Sequence, residues 1–198
     1  MNHLATSKED ILAASRDLIK ENGWAAVSIR AVASRCSVSA GTIYNYYESK
    51  ADLLSDTIES IWHEIFFHPE DEQIFHDVES CISWIYERLE YGNRQFPGFF
   101  SLHSFGFMRD EKTSGKKRMM KTWGHILNGL CEVLENDPKV RADVFDQEFT
   151  EKKFADILFS LILVSMIRQD YEPSSVLMLV KKTLYVTVQS QAKFQKQV

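Results

Sequence analysis

Apolar positions recur at three- and four-residue intervals along most of the chain, the period of helices that bury one face. The first such stretch opens with Ser7 and Asp10 at capping-box spacing and carries Ile11, Leu18 and Ile19 on one face. Asn22-Gly23 then reads as a left-handed stop. Ser28 and Ser39 stand where N-caps belong. The first precedes a short helix through Ile29, Val32 and Ala33 to about Cys36, the second one through Thr42 and Ile43 to Tyr46. Ser49 with Asp52 repeats the capping signature ahead of Leu54, Ile58, Ile61, Trp62 and Ile65, a stripe closed by Pro69.

The helical period continues beyond it. Ile74, Val78, Cys81, Ile82, Ile85 and Leu89 keep one face up to Gly92. A shorter segment from Pro97 carries Phe99, Phe100, Leu102, His103, Phe105 and Phe107. Met119, Met120, Trp123, Ile126, Leu127, Leu130, Val133 and Leu134 form a strong stripe that ends at Asn136-Asp137-Pro138. Residues 139–149 read as a connection or a short helix. Two last helices, about 150–169 and 174–193, are split by Glu172-Pro173. The pattern predicts an all-α chain of about nine helices, without repeats or low-complexity segments.

Composition agrees with that class. Eight Gly and four Pro in 198 residues are about half the usual share, too few for the closely spaced turns of a many-stranded sandwich. Cys36, Cys81 and Cys131 are far apart and lack a zinc-type spacing, so they read as reduced thiols in a cytoplasmic protein, with no metal and no cofactor implied. The N-terminus is not built as a signal peptide, Lys8, Glu9 and Asp10 standing ahead of a short apolar stretch. The most apolar run, Ile157 to Ile167, is well short of the ~20 residues a membrane span needs. No membrane partner is expected.

The pattern that carries chemistry is SIRAVASRCSVSAGTIYNYYESK, residues 28–50. Two short helices joined at Ser37-Val38 make a helix-turn-helix, whose second helix enters a major groove. Val32, Ala33, Val38 and Ile43 suit a tight core with Ile11, Leu18 and Ile19, and Ala33 permits close helix approach. Ser28 and Ser39 mark two helix N-termini, whose amides attract phosphate. Arg30, Thr42, Tyr44, Tyr46 and Lys50 supply donors for backbone oxygens and base edges. The bland alternative is a three-helix bundle that binds nothing, its tyrosines packed inward.

These residues resemble the TetR family of bacterial transcription regulators. The resemblance rests on Asn22-Gly23, on Ser28-x-Arg30-x-Val32-Ala33, and on Val38-Ser39-x-Gly41-Thr42-Ile43-Tyr44-x-Tyr46-Tyr47-x-Ser49-Lys50, over roughly the first fifty-five residues. It implies a DNA-binding domain at 1–50 and a helical ligand-binding and dimerisation domain at 51–198, with 51–68 as connecting helix. It places Arg30, Ala40, Gly41 and Thr42 at or near base edges, and Ser28, Ser39, Tyr44, Asn45, Tyr46 and Lys50 mainly on phosphates. Two positions depart from the family pattern. Ser37 stands where glycine is usual, which costs about 1 kcal/mol if its φ is positive. Ala40 stands where a basic residue is frequent, so one contact is missing.

The rest of the chain is rich in large aromatics, as small-molecule pockets between helices are. The resemblance implies such a pocket for an effector that moves the DNA-binding heads. Trp84, Phe100, His103, Phe107 and Trp123 are the candidate lining, with His103 or Glu87 orienting a polar group; ordinary core packing is the alternative for each. The run 154–164 is apolar on nearly every face, so one side meets its own bundle and another meets something else. The resemblance implies a four-helix homodimer interface, with Phe159, Ile162, Leu163, Leu177, Val180, Leu184 and Val188 as candidates.

The formal net charge of −5 is at first sight wrong for a DNA partner. It is unevenly spread: residues 1–50 hold six basic and five acidic side chains, leaving 17 basic and 23 acidic to the remainder. The resemblance implies a homodimeric DNA-binding regulator, a repressor released from a palindromic operator by a small molecule. No nucleophile–base pair, metal spacing or phosphate loop speaks for an enzyme. A helical carrier without DNA binding, and a regulator answering to a protein partner or to thiol oxidation, are the alternatives.

Overall fold

The computed structural model describes residues 6–66, 75–100 and 114–186. Among them are eight α-helices and no strand. They are α1 (Lys8–Asn22), α2 (Ile29–Arg35), α3 (Ala40–Tyr44), α4 (Lys50–Phe66), α5 (Val78–Gln95), α6 (Ser114–Asn136), α7 (Glu151–Arg168) and α8 (Ser174–Val180). Pro69, His103 and Phe107, and Val188 with the end of the last predicted helix, lie outside the described residues. No helix among the described residues is long and apolar enough to cross a membrane.

The chain forms two compact units that do not follow chain order and do not part near residue 50. One is Met1–Asp71 with Glu90–Thr122; the other is Glu72–Leu89 with Trp123–Val198. In the first unit α1 packs on α2 and α4, and α2 on α3. Its core joins Ile11, Leu18, Ile19, Val32, Ala33, Ile43, Leu53, Ile61 and Ile65, all buried. Trp62 adds an aromatic cluster, its ring centroid 5.5 Å from Phe66, 5.7 Å from Phe99 and 5.6 Å from Phe100.

Gly92 does not end α5 as its place in the pattern suggests. The helix runs on to Gln95 because Gly92 is a packing position: a Cβ there would lie 2.6 Å from Ile65 Cδ1 and 3.1 Å from Phe100 Cζ. At its other end α5 begins at Val78, where Asp77 accepts from the Ser80 amide at 2.7 Å and caps the helix, and Ile74 lies outside the described residues.

In the second unit Val78, Ile82, Leu89, Leu130, Leu134, Phe154, Leu158, Ile162, Val180 and Leu184 are buried. Residues 139–149 are turns, not a helix. The last predicted helix is shorter: α8 passes into a five-residue π-turn, Lys181–Tyr185, and the chain is extended at Val186. The preceding connection takes up its carbonyls, the Arg141 amide donating to Leu184 O at 3.0 Å and the Arg141 guanidinium to Thr183 O at 3.1 Å. Beside it Asp137 is buried and accepts from the Val78 amide (3.0 Å), the Lys139 amide (2.8 Å) and the Tyr185 hydroxyl (2.5 Å).

Candidate nucleic-acid interface

Each element of the helix-turn-helix begins with a side-chain cap. Ser28 Oγ accepts from the Ala31 amide and Ser39 Oγ from the Thr42 amide, both at 3.1 Å. The turn closes through Ser37 N to Ser34 O at 3.1 Å and Val38 N to Ala33 O at 2.9 Å. Ser37 has φ +56°, the left-handed conformation in which a Cβ is disfavoured. Gly23 also has positive φ, 76°, but with ψ 175° it extends the chain after α1 instead of forming a left-handed helical turn. Val32, Ala33 and Ile43 are buried, whereas Val38 is half-buried.

That inward packing leaves a polar outer surface. Arg30, Ser39, Gly41, Tyr44, Asn45 and Lys50 are exposed, Tyr44 to 54%. Ser28, Ala40 and Thr42 are half-buried, and the Thr42 hydroxyl lies 3.0 Å from Ser39 Oγ. Gly41 is not required by the fold, since a Cβ there would meet Ser39 Oγ at an ordinary 3.5 Å.

Tyr46 is the exception among the predicted phosphate-holding residues. It is half-buried, and its hydroxyl donates to Thr6 O at 2.6 Å, so it anchors the chain entering α1. Tyr47 is buried, with the Lys8 ammonium 5.4 Å from its ring centroid.

The electrostatics of this unit were not visible along the chain. Lys8 pairs with the buried Asp56 at 2.6 Å. Arg16 Nε meets Glu64 at 3.0 Å and Lys20 meets the same carboxylate at 2.6 Å. Arg16 also donates to the Ser60 hydroxyl and pairs with Glu9 at 3.3 Å. Arg35 bonds both oxygens of Glu21, and that hydrogen bonding lowers the Glu21 carboxyl below its ordinary value.

A model of the bacterial regulatory proteins of the tetR family matches residues 11–57, the span from α1 into α4. The matched span is the helix-turn-helix region and its flanking helices, less than half of the chain. A relative described as the HTH-type transcriptional regulator UidR of Escherichia coli K12 is 38% identical over 48 residues, 24% of this chain and 24% of that protein. Only about a quarter of that relative's length is therefore matched. Solved structures extend the likeness of fold. A transcriptional regulator from Rhodococcus sp. Rha1 aligns at TM-score 0.65 and 17% identity, over 92% of this chain and 100% of its own. FadR from Bacillus subtilis, solved in complex with stearoyl-CoA, aligns at 0.62 and 15%, over 88% and 97%. NemR from Escherichia coli, in its reduced form, aligns at 0.61 and 17%, over 91% and 99%.

Outside the head, the predicted residues divide. Phe100 falls in the first unit, fully buried among Phe99 and Trp62. Trp84, Glu87 and Trp123 fall in the second: Glu87 is exposed, Trp84 lies 5.2 Å from the Phe75 ring and Trp123 5.8 Å from the Phe159 ring. Among the described residues, the buried indole N–H of Trp123 has no acceptor. Among the dimer candidates Ile162, Val180 and Leu184 are buried in their own unit. Phe159, Leu163 and Leu177 are half-buried. Among the described residues of this unit, the large apolar side chains that face outward are Ile157, Val164, Ile167, Met178 and Leu179. A helix apolar on nearly every face gives no periodicity by which to choose them. Burial pushes all three thiols above their ordinary value, Cys81 to about 12, the reverse of what a redox-sensing cysteine needs.

Proposed function

We propose that this chain is a cytoplasmic, homodimeric transcriptional regulator that binds a palindromic operator, acts as a repressor and is released by a small-molecule effector. The observation that carries the reading is the outward row Arg30, Ser39, Gly41, Tyr44, Asn45 and Lys50 on a helix-turn-helix whose inner face is closed by Val32, Ala33 and Ile43. Arg30, with Gly41 and Thr42, reads base edges in this proposal, and Ser28, Ser39, Tyr44, Asn45 and Lys50 hold the backbone. Ala40 adds a flat apolar contact and no charge. A homodimer puts two heads on one duplex, and the exposed stripe Ile157, Val164 and Ile167, with Met178 and Leu179, is its interface.

The effector reading rests on the aromatic side chains of the larger part of the chain and on the orphan indole N–H of Trp123. The similar FadR structure holds stearoyl-CoA; the effector here is an apolar molecule with a hydrogen-bond acceptor. It acts by binding the DNA-incompetent state more tightly.

Selection of bound sequences from random duplex DNA tests the proposal. Recovery of one palindrome with half-sites about a helical turn apart is the expected result. No enrichment above the input library refutes it.

A further inference from the structure

Residues 6–66 contain six lysines and arginines, and four of them are already held by carboxylates of the same unit. Lys8 is held by Asp56, Arg16 by Glu64 and Glu9, Lys20 by Glu64, and Arg35 by Glu21. Three of these attachments tie α1 to α4, and the fourth ties α2 to α1. Arg30, in the first turn of α2, and Lys50, at the start of α4, are the two outside any ion pair among the described residues, and both are exposed. A cation that must leave a carboxylate to meet a phosphate strands one negative charge for each it neutralises. Only unpaired cations yield the full gain from displacing the counterions condensed on DNA.

We propose that, of its lysines and arginines, this head uses Arg30 and Lys50 alone on DNA, so that it fits one specific duplex and has little hold on DNA at large. This rests on the DNA-binding reading above. Two heads then present four cations, and the slope of log Kobs against log salt is about −3.6, a loss of roughly 150-fold between about 50 and 200 mM salt. Engagement of all six cations per head would give a slope near −11 and a loss above about a millionfold over the same range. Non-specific affinity, which is almost wholly this ionic contribution, is correspondingly weak.

The test is a salt titration of the full-length protein by fluorescence anisotropy, on the duplex recovered by selection and on a scrambled duplex of equal length. The expected slope on the recovered duplex is shallower than about −6, with the scrambled duplex unbound at about 150 mM salt. Arg30→Ala and Lys50→Ala should each bring the slope about 1.8 closer to zero, one cation per head, and Arg35→Gln should leave it unchanged. Circular dichroism checks that each variant is folded. A slope steeper than about −6, a flattened slope in Arg35→Gln, or no change in either alanine variant overturns the proposal. Failure to bind either duplex at the lowest salt overturns the DNA-binding reading itself.

Discussion

Ser37 holds a left-handed φ of 56° in the turn between α2 and α3, with its side chain exposed. Flanking hydrogen bonds impose that conformation, Ser37 N to Ser34 O and Val38 N to Ala33 O. A Cβ in this region costs about 1–2 kcal/mol. Glycine removes that strain but gains freedom in the unfolded chain, returning about 0.5–1 kcal/mol. Ser37→Gly should therefore stabilise the protein by about 0.5–1 kcal/mol. Ser37→Ala keeps the Cβ and loses only an exposed hydroxyl, so it serves as control with a change below about 0.5 kcal/mol. At a urea slope of about 2 kcal/mol per M, the glycine variant's midpoint rises by about 0.3–0.5 M with the slope unchanged. The measurement needs one fixed protein concentration, because association shifts apparent stability. A Ser37→Gly midpoint at or below that of Ser37→Ala would show that the turn is not strained at this residue.

Gly92→Ala forces a methyl against Ile65 and Phe100 and should destabilise by about 1–3 kcal/mol. Gly129→Ala meets nothing within 4 Å on α6 and should stabilise by about 0.5–1 kcal/mol, so thermal melts should move in opposite directions. Tyr46→Phe loses the bond to Thr6 O and should cost about 0.5–1.5 kcal/mol in denaturant titrations. Tyr44→Phe, whose ring is exposed, should leave stability unchanged and weaken operator binding in a gel shift. Hydrogen bonds from Lys139 and Ser80 hold the Asp77 carboxyl at about 2, below its ordinary 3.8. Because the folded value is depressed, this stabilisation is complete above about pH 4 and fades as pH falls toward 2. Asp77→Asn should flatten that part of the acid limb in a pH series of unfolding curves.

Much of the head was legible because its defining contacts are local. Ser7 with Asp10, Ser28, Ser39, and Ser49 with Asp52 all act within three residues, and each takes its predicted place. The larger part was legible as helices but not as faces. Gly92 reads as a stop, yet Ile65 and Phe100 make it a packing position, a fact held by residues far from it in the chain. Similarly, Ile162 and Val164 are equally apolar, and only the neighbours of α7 bury the first and expose the second.

What the sequence by itself determined is the set of helices, their caps, the strained turn at Ser37 and the helix-turn-helix motif. Each follows from hydrogen bonds and sterics between residues a few positions apart. The tertiary structure decided which groups are left over for a partner. Tyr46 is tethered to Thr6, and Arg16 and Lys20 share Glu64 across α1 and α4, while Arg30 and Lys50 stand clear. Composition counts charges, but only the approach of distant segments decides which charges are already paired.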